Sequence, residues 1–396
     1  MSLGGDGVPG IERGLQEIAL CRDLSFIPRR FRVGGRMEIK DGPRSREIPT
    51  DTCVLCGSLI LDEQRNYEHP FPRWVHRLAG DAGELRSTAV RTAAGEMPTW
   101  RQLELSAHSN CNSLFARHIE NPARQAIISM VEGGSITSSQ MDAVLDWLDK
   151  VRSSSAHMAT AFSGHGLLLD YHYHSFPNWR IGKFDRAAMF FRINRYSSPL
   201  DLWDCMDEGF LTTPGALVLR IKDLIMVTIS NNYMLSPAFG LEHSSQVGGD
   251  ISRFEGSGQF APGFGSRSTR LGMGLVVGQA MRRQYMAQGE HGPSRQLRED
   301  GDGHIYSLEK GRWHRTRSLD FSKLPVLDAQ LGIALASLEA VEWLILQKEQ
   351  DHIRMGKPQE FIAMRSIPSL TDAKLTLIDA VAAARGGLRP PENDRI

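Results

Sequence analysis

Two pairs of soft metal ligands, Cys53 with Cys56 and His108 with Cys111, constrain this chain more than any other feature of its sequence. Each pair leaves two residues between its members, and the pairs lie far apart in the chain. One tetrahedral ion needs that pattern if it is to staple two separate turns together. With four protein ligands the coordination sphere is closed, so the pattern predicts a structural zinc ion held by Cys53, Cys56, His108 and Cys111. Gly57, directly after the first pair, suits a knuckle, because glycine accepts the left-handed backbone that turns amides toward the sulfurs.

Between the pairs runs Glu68-His69-Pro70-Phe71-Pro72-Arg73-Trp74, and Asn112 follows the last ligand of the second pair. The two prolines keep His69 out of regular helix and on an extended or looped segment. Hydrolysis of a phosphodiester needs a base to take a proton from water and a cation to polarise the phosphoryl oxygen. His69 suits the first task near neutrality, and Glu68 and Asn112 are hard oxygen donors suited to a Mg²⁺ or Mn²⁺ ion. Because Asn112 adjoins a zinc ligand, the staple would preorganise the catalytic groups His69, Glu68 and Asn112.

At these residues the sequence resembles the zinc-stapled branch of the HNH nucleases. The succession is Cys-x-x-Cys, then Glu-His-x-Phe-Pro-x-Trp, then His-x-x-Cys-Asn with Glu120 nine positions after Cys111. The resemblance spans about residues 50–125 and implies a treble-clef-like ββα-metal core acting on DNA. It makes His69 the general base, Glu68 the acidic metal ligand beside it, Asn112 the polar metal ligand opening a helix, and Glu120 a further acidic position on that helix. The sequence departs from the family twice. His108 stands where the second pair usually begins with Cys, and Leu103, Glu104 and Leu105 stand where the family carries an Asn that orients the base.

The 396 residues exceed what one small core needs, and the composition, 41% hydrophobic and 8% aromatic, is that of a folded chain. Lys plus Arg equals Asp plus Glu at 46 each, so no global field draws the molecule to nucleic acid; any such attraction is local. Five cysteines, an odd number with three of them in the zinc block, fit a reducing cytoplasm better than a disulfide framework. The N-terminus lacks the apolar core of a signal peptide, and no run is long enough to span a bilayer, so the expectation is a cytoplasmic protein with no membrane partner.

The fold expected is α+β, in five parts. Residues 1–50 form a weakly structured basic arm, residues 51–130 the nuclease module and residues 131–163 a linking helix. Residues 164–388 make a mixed α/β domain ending in long helices, and residues 389–396 a tail. A short helix is predicted over residues 11–21, followed by a cluster that includes Arg29, Arg30, Arg36, Lys40, Arg44 and Arg46. A second helix should begin near Asn112. A third, over residues 137–162, carries the stripe Met141, Val144, Leu145, Trp147, Leu148 and Val151 behind a Ser138/Ser139 cap. Strand-like runs occupy residues 187–193 and 216–229. Residues 244–270, rich in Gly and Ser, read as a loop, residues 271–287 as helix, residues 289–318 as a hairpin, and residues 327–353 and 371–385 as helices, the former striped by Leu331, Ala334 and Leu338.

Lesser candidates are a His172/His174 cluster with Asp170 and Asp185, and a phosphate-binding turn through Arg180, Lys183 and Arg186. The basic positions Arg282, Arg283, Arg312, His314, Arg315 and Arg317 make a third, and His118 on the zinc-block helix a fourth. No phosphate-cradling glycine loop or Ser-His-Asp pattern occurs. Three functional readings follow. The first is a metal-dependent endonuclease, with room for a homo-oligomer and for a role in phages, mobile elements or anti-phage defence. The second is a non-catalytic zinc-stabilised module that grips nucleic acid or protein. The third is an effector nuclease gated by a ligand or regulatory partner of its C-terminal domain.

Overall fold

The computed structural model describes residues 36–41, 44–49, 53–55, 59–80, 99–100, 103–163, 185–203, 216–231, 246–247, 250–251, 272–279, 304–310 and 312–340. Both helices and strands are present, as an α+β chain requires. The expected helices over residues 11–21 and 371–385, the His172/His174 cluster with Asp170, and Arg180, Lys183, Arg282 and Arg283 lie outside these residues.

Part of the arm expected to be weakly structured is an antiparallel hairpin of β1 (Arg36–Asp41) and β2 (Arg44–Pro49). The block that carries the ligand pairs contains a 3₁₀ turn, Asp62–Gln64, leading into β3 (Arg65–Glu68). Helix α1 (Arg73–Ala79) starts at Pro72, where the missing N–H costs nothing, and ends at Gly80 with φ 77°. Strand β4 (Leu105–His108) pairs antiparallel with β3 and runs straight into α2 (Ser109–Phe115). The helix thus opens three residues before Asn112. One π-helical turn, Ala116–Glu120, joins α2 to α3 (Asn121–Val131).

After the short β5 (Ser135–Thr137) comes the long helix α4 (Ser138–Ser163). Its cap is not the expected Ser138/Ser139 pair. Thr137 is the capping residue: its hydroxyl accepts from the Gln140 amide at 3.2 Å, while Gln140 Oε1 accepts from the Thr137 amide at 2.8 Å. The predicted stripe of α4 is buried, and from Val144 to Arg152 so is every residue beside it. Asp146, Asp149, Lys150 and Arg152 are buried together with Trp147, Leu148 and Val151.

An eight-stranded sheet forms the rest. Its members are β6 (Asp185–Ile193), β7 (Leu200–Trp203), β8 (Ala216–Ile221), β9 (Leu224–Asn231), β12 (Leu275–Gln279), β13 (Ile305–Glu309), β14 (Arg312–Arg315) and β16 (Val326–Leu327). The order is β14-β13-β12-β6-β9-β8-β7, antiparallel throughout, with β16 pairing parallel to the end of β6 at Arg192 and Ile193. A two-residue pair, β10 (Gln246–Val247) with β11 (Asp250–Ile251), sits within the Gly/Ser-rich stretch, and β15 (Ser318–Asp320) pairs with β5.

The run over residues 216–229 is two strands joined by a tight turn, with Lys222 at φ 54°. Both are buried on both faces, which explains their nearly continuous apolar sequence. The predicted hairpin appears as β13 and β14. Residues 275–279, expected as helix, are a central strand. Val276 and Val277 are β-branched, and a Cβ at neighbouring Gly274 would come within 2.5 Å of Met189 Cε, so packing against β6 overrides the helical spacing.

Two cores result. One lies between the sheet and the helices α1 to α4, and combines Phe71, Trp74 and Ile127 with Ala188, Phe190 and Leu217. The other, with Ala187, Met189, Phe191 and Val218, lies under helix α5, residues 329–340. That helix begins after β16 because Asp328 caps it, its Oδ1 accepting from the Gln330 amide at 3.0 Å. Its buried face is Leu335, Ala336 and Ala340, one step around from the stripe expected through Leu331, Ala334 and Leu338.

Arg186 is not a surface phosphate ligand. It is 1% exposed and held by α4: Nη2 donates to Asp142 Oδ1 at 2.8 Å, Nη1 reaches Asp146 and Asp149, and Nε donates to Gln279 Oε1 at 3.0 Å. Burial opposes the guanidinium charge, but Asp146, Asp149 and Asp142 outweigh it and raise its pKa. Arg186→Ala would leave Asp142 and Asp146 without this counter-charge and Asp149 with Arg152 alone, a change expected to cost about 3–5 kcal/mol. Urea unfolding of the variant checks this, and a midpoint equal to wild type would refute the account.

Candidate functional site

Cys53, His108 and Cys111, all buried, bring their ligand atoms within 4.8 Å of one another. Cys56 lies outside the described residues. Strand β4 makes this meeting: Val54 N–H donates to Ser106 O at 2.9 Å, and His108 N–H donates to Cys53 Sγ at 3.3 Å. His108 Nδ1 stands 3.8 Å from Cys111 Sγ, near the ~3.6 Å that tetrahedral bonds of metal–nitrogen and metal–sulfur length impose. Its other ring nitrogen, Nε2, meets Leu59 O at 3.1 Å. A carbonyl at that nitrogen fixes the tautomer of a metal-binding histidine, with Nδ1 facing the Cys111 sulfur as a ligand would. The group can hold a metal ion, and the residues present fit one.

The same strand pair sets the second constellation. Glu68 ends β3 opposite Leu105, and His69 follows in the looped segment its prolines require. Two aromatic anchors hold that segment. Phe71, 1% exposed, packs edge-on against Trp100 at 4.7 Å, and Trp74 lies 5.7 Å from Trp147 of α4. The His69 ring stays about one-third exposed, its Nε2 3.5 Å from Glu104 Oε1. Burial lowers its pKa from the ordinary histidine value. Glu104 pulls the other way, Lys150 adds to the lowering, and a backbone hydrogen bond with Leu103 opposes it. The ring is therefore neutral at neutral pH and able to accept a proton.

Glu104 is a site residue the sequence did not announce. It lies in the short stretch where the family's orienting Asn was sought, and it supplies a carboxylate instead. Its signal was positional only.

Glu68 and Glu120 do converge. Their meeting point is the ammonium of Lys150, from the middle of α4, which pairs with Glu68 Oε1 and lies 2.9 Å from Glu120 Oε1. The π-helical turn swings Glu120 inward to reach it. Burial pushes the Glu68 carboxyl up to about 7, against the pull of Lys150. For Lys150 burial works downward, but Glu120 and Glu68 prevail and its pKa is raised. Asn112, half-buried in the first turn of α2, donates from Nδ2 to Tyr67 O at 2.7 Å.

These donors do not fit a hydrated divalent ion. Glu68 is 2% exposed and its charge is already met by an ammonium, while such an ion keeps several waters. Among the described residues the Cys53, His108 and Cys111 group is the one gathering of metal-ligating side chains. His118, half-buried on the π turn, does not belong to it. Comparison with protein-family profiles, with curated proteins and with solved structures finds no match for this chain.

Elemental analysis of the purified chain should find one tightly held transition-metal ion. In Cys111→Ala the ion's binding free energy, on the order of 10 kcal/mol at closed sites of this kind, is withdrawn. The variant is expected to lose the ion and its cooperative unfolding transition; a metal-free wild type that unfolds cooperatively would contradict the assignment.

Proposed function

We propose that the chain is an HNH-type endonuclease that hydrolyses phosphodiester bonds, with His69 as general base and a structural zinc at Cys53, Cys56, His108 and Cys111. The observation that carries the reading is the placement of His69. It is a neutral, partly exposed imidazole, held on a loop by buried aromatic anchors, with a carboxylate 3.5 Å from one ring nitrogen. Water bound at the ring would lose a proton to it, and Glu104 would stabilise the imidazolium that forms. The antiparallel β3 and β4 followed by α2, with the thiol and imidazole ligands at the strand-to-helix junction, support a ββα-metal reading of this block. DNA is the substrate by resemblance alone. No step runs through a divalent ion at Glu68, so the need for Mg²⁺ or Mn²⁺ is a question for the assay.

Supercoiled plasmid incubated with Mg²⁺, with Mn²⁺ and with neither separates the alternatives. Cleavage by wild type should fall at least ~100-fold in His69→Ala. Cleavage that survives the substitution removes His69 as base. A chain that retards DNA in gels yet cuts under no condition would replace the enzyme reading with a nucleic-acid-binding one.

The acid limb of the rate follows from the same ring. Its lowered pKa keeps the base unprotonated further into acid, so half-maximal rate is expected below pH 6.5. Glu104→Gln removes a charge that favours the imidazolium, and should move that limb to still lower pH. A limb that moves upward would show that Glu104 acts otherwise.

A further inference from the structure

We infer that Lys150 is the resident cation of the acidic pocket beneath His69. It occupies the seat between Glu68 and Glu120 that a divalent ion would need, and through the His69 carbonyl it fixes the segment that presents the ring. The inference deepens the nuclease reading and rests on it for the role of His69.

An ammonium has three N–H donors and no acceptor. In Lys150 they go to Glu120 Oε1 at 2.9 Å, the main-chain oxygen of His69 at 2.7 Å and, at 3.5 Å, that of Pro70, while the Glu68 carboxylate pairs with the ammonium as a counter-charge. No donor is left for a substrate, and the side chain is 0% exposed. Lys150 is therefore a positioning residue, acting on the base through the backbone. The two carboxylates take their place in the same logic, because a lysine sealed from water needs counter-charges. Glu68 reaches it from the residue before His69, and Glu120 from the π-helical turn. The cation comes from α4, the helix whose Asp142, Asp146 and Asp149 grip Arg186 of the sheet. Loop, zinc-block helix and sheet are thereby referred to one rigid element.

A purely structural ion pair would not need the third bond. An ammonium that only balanced two carboxylates could face either way; this one also clamps the carbonyl of the proposed base, and it lies 3.5 Å from the next carbonyl, Pro70 O. The clamp and the filled seat give separate consequences.

Both are read on the full-length, zinc-replete chain without reference to cleavage. Mn²⁺ binding followed by electron paramagnetic resonance should be the same, within twofold, in wild type and Glu68→Gln. Lys150→Ala vacates the seat and should bind Mn²⁺ at least tenfold more tightly than wild type, a gain that Glu68→Gln in the same chain cancels. Hydrogen–deuterium exchange over residues 68–75 should rise at least tenfold in Lys150→Met, with exchange in the sheet strands unchanged. A tenfold loss of Mn²⁺ affinity on Glu68→Gln in wild type would overturn the inference, and this arm stands even if the Lys150 variants fail to fold. A folded Lys150→Ala that gains no Mn²⁺, or a folded Lys150→Met whose 68–75 segment exchanges as in wild type, would overturn it as well. Absence of plasmid cleavage would remove the nuclease reading while leaving these results intact. Mn²⁺ held by Glu68 in wild type would do the reverse.

Discussion

A helix whose middle is buried on every side cannot carry unmatched charge, and α4 carries four charged residues there. Asp146, Asp149, Lys150 and Arg152 all lie within the core, where an isolated charge would cost several kcal/mol. Every one of them has a partner. Asp146 and Asp149 meet Arg186, Asp149 also takes Arg152 at 2.6 Å, and Lys150 meets Glu68 and Glu120. Apart from the Asp149–Arg152 pair within α4, these partners come from β6, from the end of β3 and from the π-helical turn, so the requirement to neutralise one helix fixes three other elements around it.

That requirement explains the shape of the site. Phe71, Trp74 and Trp147 supply non-directional attraction that brings the His69 loop against α4, but apolar contact alone would let the loop slide. The Lys150 bond to the His69 carbonyl sets its register. On the opposite side the Cys53, His108 and Cys111 group fixes where β4 ends and α2 begins. The strands β3 and β4 therefore run between two constraints of different kinds, soft ligands at one end and a buried ion pair at the other. His69 emerges where the second begins.

Much of this was legible in the sequence, and what was not has a common cause. Spacing sufficed for Cys53, His108 and Cys111, because ligand geometry is local. It sufficed too for the loop at His69, since prolines act on their own neighbours. The strands at residues 187–193 and 216–229 could be read from apolar content, though the turn at Lys222 could not. Where tertiary contact decides, the reading failed. Residues 275–279 show helical spacing but lie between β6 and β13, and Arg186 looks like a surface cation until Asp142, Asp146 and Asp149 close over it. Lys150 follows the same rule. In the sequence, Asp146, Asp149, Lys150 and Arg152 look like the solvated side of an amphipathic helix, and nothing local says that the side is covered.

Glu104 and Lys150 together show why a motif match does not by itself give a mechanism. The resemblance implied a base and an acidic ion site and left the orienting group without a counterpart at residues 103–105. The fold leaves His69 partly exposed and places the Glu104 carboxylate 3.5 Å from its ring, a charge that favours the protonated ring where an amide would not. From α4 comes an ammonium, Lys150, whose counter-charges are Glu68 and Glu120. Lys150 acts on the ring in the opposite sense to Glu104, and with burial it holds the imidazole in its neutral form. That cation sits in the helix whose Asp142, Asp146 and Asp149 grip Arg186 of the sheet, so one element bears both the ion pair beneath His69 and the clamp on β6.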